Sequence, residues 1–306
     1  GSFCFDPFAC QQNGTEITNS QMTGWYGTAS TGIKSVKLLW QTRENGDVGD
    51  PVMGIANSDD DHTNIVDIKR TIDNSDTNTV PANDKGQCRI YCRVAANTTG
   101  GNGAIAAYDG PDGTGNIVWS WHVWVTDYKP DTRGGEQVLE PVNKRKLLFS
   151  LNNASVLPMM DRNLGAMAGY VDEAPTSFVE MSKTNGFHYQ WGRKDPFPRP
   201  LDIVRSSATT VSDKELTANA TTSAEVGTVS YTISNPDTRI FSANDWHNEW
   251  RNNGLWGNSD GLTKNVKTVY DPCPEGYCVP DQNCYQGFIF TSKTECDNNY
   301  GHLFVI

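Results

Sequence analysis

Apolar and polar residues alternate in short runs along the first third of the chain. Residues 33–42 place Val36, Leu38 and Trp40 on one face of a strand, with mostly polar residues on the other. Asn45-Gly46-Asp47 follows as a turn signal. Residues 64–72 scatter Ile65, Ile68 and Ile72 among polar neighbours, a pattern that fits a strand or an irregular edge. Residues 88–95 alternate again through Ile90, Cys92 and Val94, and 104–108 and 117–125 read as two more strands. Between those two lies Asp109-Gly110-Pro111-Asp112-Gly113-Thr114-Gly115, a hairpin loop. In the second of them Trp119, Trp121 and Val123 point one way, and Ser120, His122 and Trp124 the other. Five or more short strands with such turns predict an Ig-like β-sandwich over 1–128.

The pattern changes after residue 128. Residues 129–145 are polar, contain Pro130, Gly134, Gly135 and Pro141, and predict a linker. A second, loop-rich α+β domain over 146–306 opens with Leu147-Leu148-Phe149. Residues 206–235 are rich in Ser, Thr, Ala and Asn and predict a long surface excursion, with 214–224 as its one candidate for a short helix. Phe288-Ile289-Phe290-Thr291 and Leu303-Phe304-Val305-Ile306 read as strands. The last either completes its own sheet, the favoured reading, or a neighbour's by strand addition.

Composition narrows the class. Aromatics at 10%, charged residues at 20%, 28 Gly and 15 Pro fit a mainly β, turn-rich globular chain and not a disordered one. A net charge of −11 repels phosphate backbones, which excludes nucleic acid as a partner. No apolar run reaches the ~18 residues of a membrane-spanning helix, and no signal-peptide pattern is present. Eight cysteines, an even number, point to an oxidising, extracytoplasmic compartment. Local disulfide candidates are Cys4 with Cys10, Cys273 with Cys278 across Pro-Glu-Gly-Tyr, and Cys284 with Cys296. Cys88 and Cys92, four apart on one strand, stand roughly 13 Å apart, beyond disulfide reach. Other pairings of the eight stay open.

Catalytic patterns are missing. His62, His122, His188, His247 and His302 are scattered, without the spacing of a metal-binding helix. There is no nucleophile elbow, phosphate-binding loop or dinucleotide fingerprint. Neighbouring acids such as Asp172-Glu173 carry no glycosidase signal in a chain this acidic. Ser58-Asp59-Asp60-Asp61, and Asp109 with Asp112, offer hard oxygens to calcium but match no known loop spacing, so no cofactor is expected beyond that one. The strongest ligand-facing stretch is 245–258, where Asp245, Trp246, Trp250, Arg251 and Trp256 alternate with amides. Sugars stack on aromatic faces while amides and carboxylates take their hydroxyls. The competing reading puts these tryptophans in the core.

Three islands carry a family resemblance. They are Met160-Asp161-Arg162-Asn163-Leu164-Gly165-Ala166, Tyr189-Gln190-Trp191-Gly192-Arg193-Lys194-Asp195-Pro196-Phe197-Pro198, and Tyr270-Asp271-Pro272-Cys273-Pro274-Glu275-Gly276-Tyr277-Cys278-Val279-Pro280. Physically they read as scaffold. Asp161 and Arg162 suit a bidentate buried ion pair, and Gly192 a close backbone approach. The double-proline turn at 272–274 suits an entry into a strand at 277–279. In order and spacing the islands resemble the Fibrobacter succinogenes major paralogous (FISUMP) domain. Upstream segments at 35–42, 103–109 and 116–128 resemble its usual lead-in, so the likeness spans 35–280. It departs after Pro280, where the family continues for longer and this chain has two extra cysteines. The resemblance implies a surface or fimbrillin-like protein of Bacteroidetes and a C-type-lectin-like fold for the second domain. The expected function is non-enzymatic adhesion or recognition at a cell surface or fimbria, with a glycan or protein on a host or neighbouring cell, or other fimbrial subunits, as partner. The alternative is a structural subunit of a pilus or of a phage virion fibre. A carbohydrate-active enzyme ranks third, since it requires two converging carboxylates.

Overall fold

The computed structural model describes residues 1–9, 11–12, 15–16, 32–42, 66–75, 86–94, 100–129, 146–147, 159–169, 175–184, 186–197, 219–243, 245–257 and 267–280. Its first part contains strands β1 (Ser2–Phe5), β2 (Gln11–Gln12), β3 (Thr15–Glu16), β4 (Ser35–Gln41), β5 (Val66–Arg70), β6 (Cys88–Arg93), β7 (Gly101–Tyr108) and β8 (Ile117–Val125). Six of them form two antiparallel sheets, ordered β1-β6-β5 and β4-β7-β8, and β2 pairs with β3. The chain is therefore mainly β, as its alternation predicts.

The two sheets share one core. Val36, Ile105, Ala107 and Trp119 come from one, and Val66, Ile68, Cys88, Ile90 and Cys92 from the other. Each fully buried Ile in it contributes roughly 1.5–3 kcal/mol by leaving water. The sequence of β7 explains its place at the centre. Gly101 to Ala107 are all buried, because both faces of the strand are covered. Small residues let the layers approach: Ala107 faces Val36 and Trp119, while Ala104 faces Trp40 and His122.

One expectation about β4 is corrected. The register of β4 on β7 slips between Leu38 and Trp40. This bulge inserts a residue and reverses the side-chain parity beyond it. Val36 and Leu38 face the shared core, but Trp40 turns to the other side and packs against His122 and Phe187, with ring centroids 6.2 and 5.3 Å away. The expected facing of β8 holds, with Trp121 against Phe5 in the core and His122 on the opposite face.

The second part of the molecule covers that opposite face. It contains β9 (Lys146–Leu147), β10 (Met159–Met160), helix α1 (Phe178–Thr184), β11 (Asn219–Thr221), helix α2 (Val229–Ser234), β12 (Arg239–Phe241) and a 3-10 turn over Asn253–Trp256. β9 pairs with β10 antiparallel, and β11 with β12 in parallel. Residues 219–235 are not a surface excursion. Ile233 of α2 enters the shared core with Val229 against it, and 219–221 form β11 where a helix was expected. The polar composition hid this because α2 is short and needs few apolar groups. Its N-terminus is capped by Thr228, whose hydroxyl accepts the Tyr231 N–H at 3.1 Å.

Residues 130–145 of the expected linker, Leu148 and Phe149, the expected strands at 288–291 and 303–306, and Asp59 to Asp61 lie outside the described residues. So do Cys10, Cys284 and Cys296. Among the described residues Cys4 and Cys273 are unbridged. Cys88 and Cys92 share one buried face of β6, as their spacing requires, and burial pushes both thiols up to about 12. No helix among the described residues is long and apolar enough to cross a membrane.

Candidate ligand-binding site

The second island is a spine onto which the rest of the second part is hung. Gln190 mimics a strand, donating Nε2 to Ile240 O at 2.7 Å and accepting Ile240 N–H on Oε1 at 3.1 Å. Arg193 is wholly buried. One guanidinium nitrogen donates to Gln190 Oε1 and Thr238 O, at 2.9 and 2.6 Å, and the other to Asn235 O and Pro236 O, at 3.1 and 3.2 Å. The fork thus clamps the C-terminal end of α2 and the loop leading to β12. Burial lowers its pKa to about 10, with Asp195 and Asp237 acting against that shift.

Lys194 and Asp195 join the spine to β8. Lys194 Nζ donates to Ser120 O, Ser120 Oγ and Asp195 Oδ1 at 2.9, 2.6 and 2.6 Å, and lies 4.5 Å from the Trp119 ring centre. Ser120 Oγ donates to the same carboxylate oxygen at 2.6 Å. A lysine and a serine in contact suggest a nucleophile and its base. The geometry argues for a fixed cation. An ammonium has three protons, and all three point at acceptors here. Burial lowers the Lys194 pKa, and Asp195 opposes it. Next to this pair Tyr189 Oη lies 3.5 Å from His122 Nδ1, while His122 Nε2 contacts Asn102 Oδ1 at 2.9 Å. Burial holds His122 neutral, its pKa lowered to about 4.

The other islands follow the same logic. Arg162 pairs with Asp161 through Nε to Oδ1 at 2.7 Å and a second nitrogen to Oδ2 at 3.4 Å, with its guanidinium 3.8 Å over the Tyr128 ring. The expected bidentate pair is therefore formed, and Tyr128 Oη accepts the Asp161 N–H at 3.1 Å. Asp271 accepts Lys267 Nζ and Cys273 N–H on one oxygen, both at 2.9 Å, and Val279 N–H on the other at 3.0 Å. That last bond replaces the expected strand at 277–279, since the carboxylate takes a backbone donor that a ladder would use. Asp109 is likewise occupied, accepting Asn116 N–H at 2.7 Å and its Nδ2 at 3.2 Å. Among the described residues no three metal-ligating side chains come together.

The loop at 245–257 splits the expected ligand set. Trp246 and Trp256 are buried. Their indole nitrogens donate to the spine, Trp246 to Trp191 O at 2.6 Å and Trp256 to Arg193 O at 3.1 Å. Gly192, with φ +88°, allows this approach, since a Cβ there would stand 2.9 Å from Leu255 Cδ1. Asp245 is buried at its side chain and lies 3.6 Å from Arg251 Nε. Trp250 and Arg251 are the outward pair, Trp250 61% exposed and the Arg251 side chain 55%. Trp250 holds φ +75°, a left-handed backbone that a bulky side chain adopts only under constraint. The structure thus joins three core residues and two surface residues in one loop. Sequence reading placed Trp191 in the scaffold, and it did not foresee that this residue's carbonyl and ring hold the loop, through Trp246 Nε1 and the Trp256 ring. No family model, characterised protein or solved structure matches the chain.

Proposed function

We propose that this chain is a non-enzymatic adhesion or recognition protein of a Bacteroidetes bacterium, extracytoplasmic, at the cell surface or on a fimbria, with glycan as its ligand class. On this reading residues 1–128 are an Ig-like β-sandwich that acts as spacer or assembly module. Residues 146–306 are a FISUMP-like, C-type-lectin-like domain that presents the interacting surface. The observation that supports it most is Trp250. A large aromatic ring faces water on a strained backbone, on a loop otherwise pinned by two buried indoles. Such strain persists when the surroundings impose it, and it gathers at ligand sites.

The test is a glycan and mucin binding screen of the whole chain, run with calcium and with chelator. Saturable binding that Trp250→Ala abolishes, with the unfolding midpoint unchanged, is the expected result. Trp246→Ala and Trp256→Ala do not serve as probes. Each removes a core side chain and costs roughly 3–5 kcal/mol of stability. A blank across the panel sinks the glycan reading.

A second reading is a structural subunit, of a pilus or of a phage virion fibre. It is favoured by Asp161, Arg162, Arg193, Lys194, Asp195 and Asp271, charges drawn from all three islands, being engaged in holding the fold. Reduced cysteines would favour the phage version, because virions assemble in a reducing cytosol. Counting thiols in denatured protein purified under non-reducing conditions separates the two origins.

A further inference from the structure

The third island runs from the shared core straight into a turn. Val269 and Tyr270 pack against that core, with the Tyr270 ring centre 6.1 Å from that of Trp119. Beyond them the chain folds back on itself. Tyr277 N–H donates to Pro274 O at 3.0 Å. Gly276, at φ +80°, takes the third position of a type II turn, which requires that sign. Cys273 and Cys278 flank the turn, one on each limb.

Asp271 ties the limbs together. Its Oδ1 accepts the Cys273 N–H, and its Oδ2 the N–H of Val279, next to Cys278. The Asp271 side chain is fully buried. Lys267 Nζ holds it in turn, donating to Oδ1 at 2.9 Å and to the Cys273 carbonyl at 2.7 Å. A carboxylate bonded to both limbs resists their splaying. The ends of such a turn stand within about 7 Å, and disulfides span Cα separations of about 4.4–6.8 Å. The two thiols also act on one another: burial first, then Asp271, and last Cys278 push the Cys273 thiol up, against Lys267. The pair is unequal, since Cys278 is exposed and Cys273 half-buried. Among the described residues no other two cysteines are so placed. Cys88 and Cys92 are four apart on one strand, and Cys4, paired with Tyr91, faces away from Cys92.

We propose that Cys273 and Cys278 form a reversible thiol–disulfide switch, with Asp271 as the positioning residue that holds the turn ready to close. The oxidant is a small external disulfide of the glutathione class. Cys278, as thiolate, attacks one of its sulfurs and expels a thiolate. Cys273, losing its proton to water, attacks the Cys278 sulfur of that mixed disulfide and expels the second thiolate. One S–S bond breaks and one forms. Two electrons pass from the cysteine pair to the external disulfide, and two protons end on the expelled thiolates. In an oxidising compartment the turn is locked covalently; in a reducing one Asp271 holds it without the bond. The switch is independent of the glycan reading.

The experiment equilibrates the whole chain in glutathione buffers of rising [GSH]²/[GSSG] ratio. Samples are quenched with acid, alkylated under denaturation and digested with a glutamyl endopeptidase. Cleavage after Glu275 divides the loop, so a closed pair leaves two fragments joined. Cys284 shares the second fragment with Cys278, and its alkylation shows that Cys278 made the bond. The expected result is joined fragments with Cys284 alkylated, separating at one defined ratio. Asp271→Asn should move that ratio about tenfold toward oxidising conditions, with tryptophan fluorescence unchanged. Gly276→Ala strains the turn, leaves the carboxylate in place, and should move the ratio the same way. Fragments that never join, or that join through Cys284, overturn the switch, and this mapping on the unaltered chain needs no variant to fold. A ratio that Asp271→Asn leaves unchanged overturns the positioning role.

Discussion

His122 lies on a strand between two layers, and among the described residues its one titratable hydrogen-bond partner is Tyr189. Asn102, Trp40 and Phe187 also contact it, and Ala104 faces it across the sheet. Its pKa falls from 6.5 to about 4 on burial. The sign follows directly. Below 6.5 the unfolded chain takes up a proton that the folded chain refuses until about pH 4, so stability present above 6.5 is lost across that window. The loss amounts to about 3 kcal/mol. Urea unfolding of wild type and His122→Gln at pH 7 and pH 4.5 should show the gap between the two proteins closing as pH falls. A gap independent of pH would sink the assignment. Trp250 carries the opposite kind of tension. Glycine accepts φ +75° without strain, so Trp250→Gly should raise the urea midpoint by the equivalent of about 1 kcal/mol while removing glycan binding. A fall in the midpoint would show that the exposed ring contributes to the fold.

At the scale of elements, the bulge in β4 decides which layer receives Trp40. Deleting Leu39 would restore strict alternation and drive Trp40 toward the shared core, away from Phe187 and His122. Overpacking on one face and a void on the other should together cost more than about 3 kcal/mol. The readout is loss of the near-ultraviolet aromatic signal, and a variant with an unchanged spectrum would count against the parity argument. This bulge also marks a limit of sequence reading. The period-two pattern located β4, β6, β7 and β8 within a few residues, because each buries one face or two. Ser-Val-Lys-Leu-Leu-Trp-Gln contains no glycine to flag an extra residue. α2 stayed hidden for a related reason: one turn and a half of helix needs only Val229 and Ile233 to dock. In the candidate site the stretch 245–257 was legible from its tryptophans. Which indoles point inward was not, since that depends on carbonyls of Trp191 and Arg193 more than fifty residues earlier.

At the scale of the molecule, the two parts meet through a shared core. Ile233, Val229, Val269 and Tyr270 pack with Val118 and Trp119, and Asn102 Nδ2 donates to Gly165 O at 2.8 Å. Tryptophan fluorescence and far-ultraviolet circular dichroism should therefore report one coincident unfolding transition. Two separated midpoints would show that the parts are independent. Lys194 has a consequence of its own here. β8 ends its sheet, and an end strand is where a second chain can zip on. Lys194 already occupies the Ser120 carbonyl on that strand, with Asp195 and α2 packed alongside. An incoming strand would have to withdraw a buried ammonium from three acceptors before making its first bond. The molecule therefore has a sealed flank, and filaments built from it would have to grow from some other side.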